Sequence, residues 1–531
     1  MVPIQTFRNL KVETPLGPEV LLLHTFTCRE EMGRPFEMVL TMQSINPLID
    51  FSKILGQKVT VSVDLPHLGK RYFNGYVRDF EQIGYDAINS LASYRAVLVP
   101  WISLLKLPTD CRTFQGKSIP DILREVFSAA AFSDHRFNLT NRYVPREFCV
   151  QYRETTFDFV SRLMEFAGIY YYFEHEQGNH TMVICDSPAA HTAFPGYAVI
   201  PYNPAGDSPI GGVREWVTKQ TLCPGTAALN DYNYTIPKTD MLVSKGGTQG
   251  YAQGAYERFD TPGGYQDKAE GEHFVRVRQE ELVCEQSVGH GSGDLLGIAA
   301  GRRFTLLGFL RPDQNGEYLV TSATLEITSP TYSLDQKGPV QSAQRCSFTT
   351  IPSAVPFRTK RATPKPLIAG LQTAVVVGPV AWMNDLTGPF TDDELGSVFV
   401  QFRWDRHHTD GRGGVLGIGN VESSIPIRVA RPSAGKGYGS MFTPLVGDEV
   451  LVVFEEGDPD RPVIVGSVYN YLNRPPLSMP SNKQLTYIID NSGNGICLYA
   501  IPGKEEISIY ANFNSLQGGN YQSYGYFNRI P

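Results

Sequence analysis

Short apolar runs broken by turn residues dominate the first hundred residues. Glu19-Val-Leu-Leu-Leu-His24, Phe36-Glu-Met-Val-Leu-Thr41, Val59-Thr-Val-Ser-Val63 and Tyr94-Arg-Ala-Val-Leu-Val99 read as strands of an all-β barrel or sandwich. The period changes at Ser118-Ile-Pro-Asp-Ile-Leu-Arg-Glu-Val-Phe127. Ile119, Ile122, Leu123, Val126 and Phe127 fall on one helical face behind a Ser118/Asp121 cap, which predicts an amphipathic helix. Residues Thr155 to Gly168 repeat the design. Thr155 and Asp158 form the cap, Phe159, Val160, Leu163 and Met164 face inward, and Gly168 is placed to take the left-handed conformation at the helix end. A strand, Ile169 to Phe173, leaves it directly.

Later in the chain the strands shorten. Thr373–Val377, Gly396–Trp404, Pro426–Ala430, Glu449–Phe454 and Val463–Val468 supply the five strands that an OB barrel requires. The last two flank Gly457-Asp-Pro-Asp-Arg-Pro462, where Pro459 pre-sets φ, Asp458 bonds its own backbone ahead and Pro462 cannot donate to a ladder, so a rigid hairpin is expected. The Pro- and base-rich stretch Pro352 to Pro366 reads as a linker. Beyond Pro480 come Leu485–Ile489, Ile496–Ile501 and Glu506–Ala511, too few and too short to bury a core. Ile507, Ile509 and Ala511 alternate with Ser508 and Tyr510, so one face is apolar and needs a cover from outside the chain. That argues for oligomerisation on physical grounds alone.

Length adds the expectation of three or four domains in 531 residues, and the 50 glycines and 37 prolines fit a turn-rich β chain. The net charge of −7 gives no reason to expect nucleic acid or an anionic membrane as partner. From Leu371 onward 11 basic residues face 16 acidic ones, which also speaks against single-strand binding by the barrel. Eight scattered cysteines make no C-x-x-C pair and no zinc set, as for free thiols of a cytosolic protein. No signal peptide and no transmembrane run of ~20 apolar residues is visible.

Candidate chemistry is sparse. His175-Glu-Gln-Gly-Asn-His180 has its histidines five apart, with Gly178-Asn179 making a hairpin turn instead of a metalloprotease helix. Asp490-Asn-Ser-Gly-Asn-Gly495 opens like a calcium loop but has Ile501 where a bidentate glutamate is needed, so it too reads as a turn. Glu455, Glu456, Asp458 and Asp460 read as an exposed acidic hairpin. Gly289-His-Gly-Ser-Gly-Asp294 fits neither a nucleophile elbow nor a phosphate cradle and reads as a flexible loop. His407-His408 with Asp405 and Asp410 are most simply solvent-exposed. No catalytic residue, cofactor or metal is expected.

The run Gly447 to Asn470 resembles the VgrG family, the spike proteins of the type VI secretion system. Gly447, Asp448, Glu449, Gly457, Asp458, Pro459, Asp460, Arg461, Pro462, Gly466, Tyr469 and Asn470 carry that motif. Further matching stretches are Asp110–Gln115, Gln151–Glu165, Gly168–His175, Leu229–Asn233 and Asp313–Val320, so the resemblance spans about Leu16 to Ala511. Pro432, Tyr438 and the long glycine-rich loop from His407 to Ser424 depart from the family pattern.

The resemblance implies a mainly β fold with α+β insertions. Residues 1–360 would be a phage-hub-like region of two related β-barrel domains, 361–371 a linker, 372–475 an OB fold, and 476–531 the start of an intertwined trimeric β-prism needle to which Ile507, Ile509 and Ala511 contribute. It implies a non-enzymatic homotrimer that caps a hexameric tube of the Hcp type, works with baseplate components, and carries a PAAR-type tip, effectors or adaptors at Tyr510 to Pro531; the charge balance gives no nucleic acid as partner. Such a protein is cytoplasmic during assembly and then injected by the contractile apparatus. The alternative implied by the same architecture is the hub and spike of a phage tail or phage-like particle.

Overall fold

The computed structural model describes residues 4–5, 8–65, 68–206, 211–247, 250–252, 254–330, 332, 342–378, 395–406, 425–503 and 505–510. It resolves into two compact units. The first comprises Met1–Ala369 with Trp404–Thr409 and Phe454–Arg461; the second comprises Gly370–Arg403, Asp410–Val453 and Pro462–Pro531.

The first unit opens with six strands, β1 (Leu10–Glu13), β2 (Leu22–Glu31), β3 (Glu37–Ser44), β4 (Lys58–Leu65), β5 (Gly69–Asp86) and β6 (Leu91–Val99). The expected strand at Glu19–His24 begins later, because Glu19 sits at φ 60° in a turn. The 18-residue length of β5 exceeds any apolar run in the sequence. Its distal half is largely exposed, and the cross-strand ladder to β6 carries it where side-chain burial does not.

Next come β7 (Thr109–Lys117), α1 (Ile119–Ala129), β8 (His135–Asn138), β9 (Arg146–Thr155), α2 (Thr156–Ala167), β10 (Tyr170–Glu176) and β11 (Asn179–Cys185). Both predicted helices form with their predicted caps. Thr155 Oγ1 accepts the Asp158 amide at 3.0 Å, and Gly168 closes α2 at φ 72°. Trp101 lies fully buried beneath them, stacked on Phe132 and edge-on to Phe127.

The remainder is β12 (Val199–Pro201), β13 (Val213–Gln220), β14 (Thr226–Leu229), β15 (Val243–Gly246), β16 (Glu257–Asp260), α3 (Lys268–Cys284), β17 (Ser287–Gly293), β18 (Arg303–Leu307), β19 (Glu317–Thr328) and β20 (Ala343–Pro352). The sequence pattern does not show α3, because its inward side includes Arg278 and Gln279 among the apolar residues.

Strands β1 to β6 and six later strands join into one twelve-stranded sheet, in the order β1-β4-β5-β6-β3-β2-β19-β20-β17-β13, with β18 on β19 and β12 on β18. Each half contributes six strands, and antiparallel pairing of β2 with β19 makes the seam.

The segment read as a flexible loop, Gly289–Asp294, is instead mostly strand β17, held between β13 and β20. The glycines supply space there. A Cβ on Gly289 would meet the Trp216 ring at 2.7 Å, and one on Gly291 the Phe348 ring at 2.3 Å. Glycine in this strand therefore marks close packing of aromatic neighbours.

Pro352 to Pro366 is packed down in part. Arg358 is buried, with its guanidinium donating to the Gly168 and Asp186 carbonyls and to Glu280. Glu165 accepts from the amides of Ala362 and Thr363.

In the second unit β21 (Gln372–Val376), β22 (Val398–Phe402), β23 (Ile425–Val429), β26 (Glu449–Phe454) and β27 (Pro462–Val468) close a five-stranded barrel in the order β21-β22-β23-β27-β26. Ala374, Val376, Val398, Val400, Phe402, Ile425, Ile427, Val450, Val452 and Ile464 point inward at period two and are almost fully buried. A short ladder of β24 (Ala434–Gly435) and β25 (Tyr438–Gly439) lies between. The chain continues into an antiparallel sheet of β28 (Leu485–Ile489), β29 (Gly495–Tyr499) and β30 (Glu506–Tyr510).

Candidate functional site

Two places carry the residues that the sequence singled out. The first is the turn Gly457-Asp-Pro-Asp-Arg461, which belongs to the first unit. Locally the chain closes on itself: the Glu455 amide donates to the Arg461 carbonyl at 2.9 Å, and Asp458 Oδ1 accepts the Asp460 amide at 2.8 Å. Gly457 at φ 77° follows Glu456 at φ 54°, a left-handed pair. Pro459 is buried.

Contrary to the expectation of an exposed acidic hairpin, part of the turn is buried. Glu455 and Glu456 are exposed, but the Asp460 side chain is only 8% accessible. Its Oδ1 accepts the Val150 amide at 2.7 Å, and its Oδ2 takes the Lys365 ammonium at 2.7 Å, while Lys365 also reaches Asp458 at 2.5 Å. The cation among these carboxylates is thus a lysine of the protein. Burial pushes the Asp460 carboxyl up, but Lys365, Arg146 and Arg162 hold it below its ordinary value.

Beside it, Arg461 donates from Nη2 to both oxygens of Asp231 at 2.7 and 2.8 Å, and Asp231 is fully buried as well as accepting the Gly264 and Tyr265 amides. Arg162 forks onto Glu154 and donates to the Val150 carbonyl. Lys365 and Asp231 were legible only as members of a supposed linker and of a matching stretch. Nothing in their spacing connects them to residue 460.

The outer part of the motif stays in the second unit. Asn470 Nδ2 donates to Glu449 at 2.9 Å, and Arg403 reaches the same carboxylate at 3.2 Å. The Asn470 hydrogen bond, offset by desolvation and helped by Arg403, holds Glu449 below the usual carboxylate value. Gly447, at φ 94°, donates to Val376, while Asp448 Oδ2 accepts the Leu445 amide. Pro462 starts β27 and is buried, Gly466 lies within that strand, and Tyr469 is exposed. None of these groups forms a nucleophile–base pair or a metal shell.

The second place is the three-stranded sheet. Cross-strand partners share a face, so the registers Thr486↔Leu498↔Ile507 and Ile488↔Ile496↔Ile509 put five aliphatic side chains on one side. Ile507 and Ile509 are 68% and 77% exposed, and Ile488, Ile496 and Leu498 are exposed too. Tyr487, Cys497 and Ser508 occupy the other face, where Cys497 is buried. Ala511 lies outside the described residues.

The histidine pair resolves as a hairpin. His175 and His180 are cross-strand neighbours in β10 and β11, and both are committed to protein partners: His175 Nδ1 accepts the Asn74 amide, and His180 Nε2 accepts the Trp101 amide. Asp490 accepts the Ser492 and Asn494 amides, closing the β28–β29 turn. His407, His408 and Asp410 lie outside the described residues.

This architecture has relatives. Residues 29–331 match the phage tail baseplate hub (GPD) family, and residues 416–469 match the type VI secretion system/phage-baseplate injector OB domain. Two spike proteins of the type VI secretion system of Pseudomonas aeruginosa, VgrG1a and VgrG1c, are each 38% identical over 525 residues. Those matches cover 96% of this chain and 78% and 69% of the respective relatives. A solved Escherichia coli structure, the c3393 protein, is described as a type VI secretion component similar to the bacteriophage T4 tail proteins gp27 and gp5. It superposes with a TM-score of 0.59 at 20% identity, covering 86% of this chain and 99% of its own. Hub match, barrel match and kinship over nearly all of this chain agree, and the chain belongs to the VgrG family of type VI secretion system spike proteins.

Proposed function

We propose that three copies of this chain assemble into a rigid, non-enzymatic spike that caps a hexameric tube of the Hcp type and is driven into a target cell when a contractile sheath shortens. The observation that carries this reading is the open aliphatic face of β28–β30. Five exposed Ile and Leu side chains on one small sheet cost about 1 kcal/mol or more each while they face water, and a three-fold prism buries them against their own copies. The motif residues are structural in this reading: they fix turns and do no chemistry.

Residues 1–360 serve as the hub toward the tube and baseplate, 361–371 as a link, 372–475 as the OB neck, and 476–531 as the needle that receives a PAAR-type tip, an effector or its adaptor. Assembly takes place in the cytoplasm, and the contractile machine carries the spike out.

Light scattering on the full chain and on a truncation ending at Pro480 tests the assembly. A mass about three times 59.0 kDa for the full chain, falling on truncation, is the expected result. A full chain that stays monomeric at tens of micromolar while its barrel is folded would refute the needle.

A further inference from the structure

Strand β16 lies at the edge of the sheet β15-β14-β16, and its other side carries no strand among the described residues. The carbonyls of Tyr256 and Asp260 accept amides from β14 and its flank, Thr226 and Asn230. Backbone groups alternate along a strand, so the N–H and C=O of Glu257 and Phe259 point to the open side. An edge of this kind accepts an added strand.

A cavity of about 180 Å³ opens beside this edge. Its apolar wall is Ala227, Leu229 and Leu282, part of the cluster where α3 packs against the sheet. Its polar wall holds three guanidinium groups, Arg258, Arg278 and Arg361, against two carboxylates, Asp260 and Glu281.

Those carboxylates are already engaged. Arg278 Nη1 bonds Glu281 at 2.7 Å, the Arg361 amide bonds the same side chain at 3.2 Å, and Arg361 Nη2 reaches Asp260 at 3.4 Å. Arg278 is fixed further by the Glu165 and Phe166 carbonyls. Arg258 is exposed and forms no ion pair among the described residues. The cavity therefore keeps one uncompensated positive charge. Burial, and then the neighbouring Arg361, bring the Arg278 guanidinium down to about 10, which reflects the same crowding of cations.

The volume decides the size of the guest. It is below the ~300 Å³ at which small-molecule sites begin, and it suits one acidic side chain with its methylenes against the apolar wall. The geometry points to a docking site for an extended acidic segment of a partner protein, added as a strand along β16 with one of its carboxylates seated between Arg258 and Arg361. The backbone supplies affinity and the arginine fork selects the carboxylate.

The test uses the full chain and a fluorescein-labelled, end-blocked peptide of alternating Glu and Val, read by anisotropy. Arg258→Gln should weaken binding about tenfold, as should replacing every Glu of the peptide by Gln, and added salt should weaken it further. Phe259→Pro removes only an outward N–H, leaving the β14 ladder intact, and should also weaken binding about tenfold. Lys245→Gln, on the opposite edge strand, should leave it unchanged; Lys245 is likewise exposed. Equal losses from Arg258→Gln and Lys245→Gln would reduce the effect to diffuse charge and overturn the proposal. So would wild-type binding by Phe259→Pro, or displacement of the peptide by equimolar inorganic phosphate.

Discussion

Asp460 carries a negative charge into a place that water hardly reaches, and its partners decide whether that is tolerable. Lys365 and the Val150 amide satisfy both oxygens, so removing the charge leaves Lys365 facing a poorer acceptor. Asp460→Asn is expected to lower the unfolding free energy by about 2 kcal/mol, toward the low end for a broken buried pair because Lys365 is partly exposed. The double change with Lys365→Met should recover part of it. Urea denaturation of the single and double variants measures both, and additive losses would show that the pair is not coupled.

The histidines set a second expectation. Burial holds the imidazole of His180 well below its ordinary value and brings His191 down to about 4; His191 Nε2 lies against the Tyr170 hydroxyl and Nδ1 against the Gly301 carbonyl. Both are neutral in the fold and take up protons more readily once unfolded. The His191 contribution is thus complete above pH 6.5 and is lost as pH falls from 6.5 toward about 4, on the order of 3 kcal/mol, and that of His180 is likewise lost on the acid side of its ordinary value. A flat unfolding free energy across that range would contradict the assignment.

Elements show where periodicity is a sufficient guide and where it is not. The barrel strands β21, β22, β23, β26 and β27 were readable because each alternates inward and outward against a single core. Helices α1 and α2 were readable because cap, stripe and stop coincide in a dozen residues. Helix α3 was not, since it buries arginine and glutamine on partners far away in sequence, such as the Glu165 carbonyl. Strand β17 differs from the expected loop because its glycines suit a loop locally, while the aromatic rings that need their absent side chains come from β13 and β20. The sheet β28–β30 yields a prediction of its own kind. Ile507→Ser with Ile509→Ser should abolish the proposed trimer in sedimentation velocity, whereas Ser508→Ala on the opposite face should leave it; a trimer surviving the double change would place the contacts elsewhere.

At the scale of the molecule, the proposed three-chain spike would tie folding of its tip to association. The apparent melting temperature should rise with protein concentration for the full chain, and a truncation at Pro480 should show none of that dependence. Differential scanning calorimetry over a hundredfold range of concentration checks this, and a concentration-independent transition would remove the linkage.

The amino-acid order alone determined the β character, the five-stranded barrel, the two capped helices and the need for an outside cover on the last strands. These follow from periods of two and 3.6 and from turn chemistry, which act between near neighbours. Its long motif was also enough to point to the family. Only the tertiary structure decided that Asp460 is a buried partner of Lys365, that Arg461 belongs to Asp231, that two sets of six strands share one sheet, and that Arg258, Arg278 and Arg361 gather at one edge. Those pairings join residues tens to hundreds of positions apart, and no local pattern encodes which charge will meet which once the chain has closed.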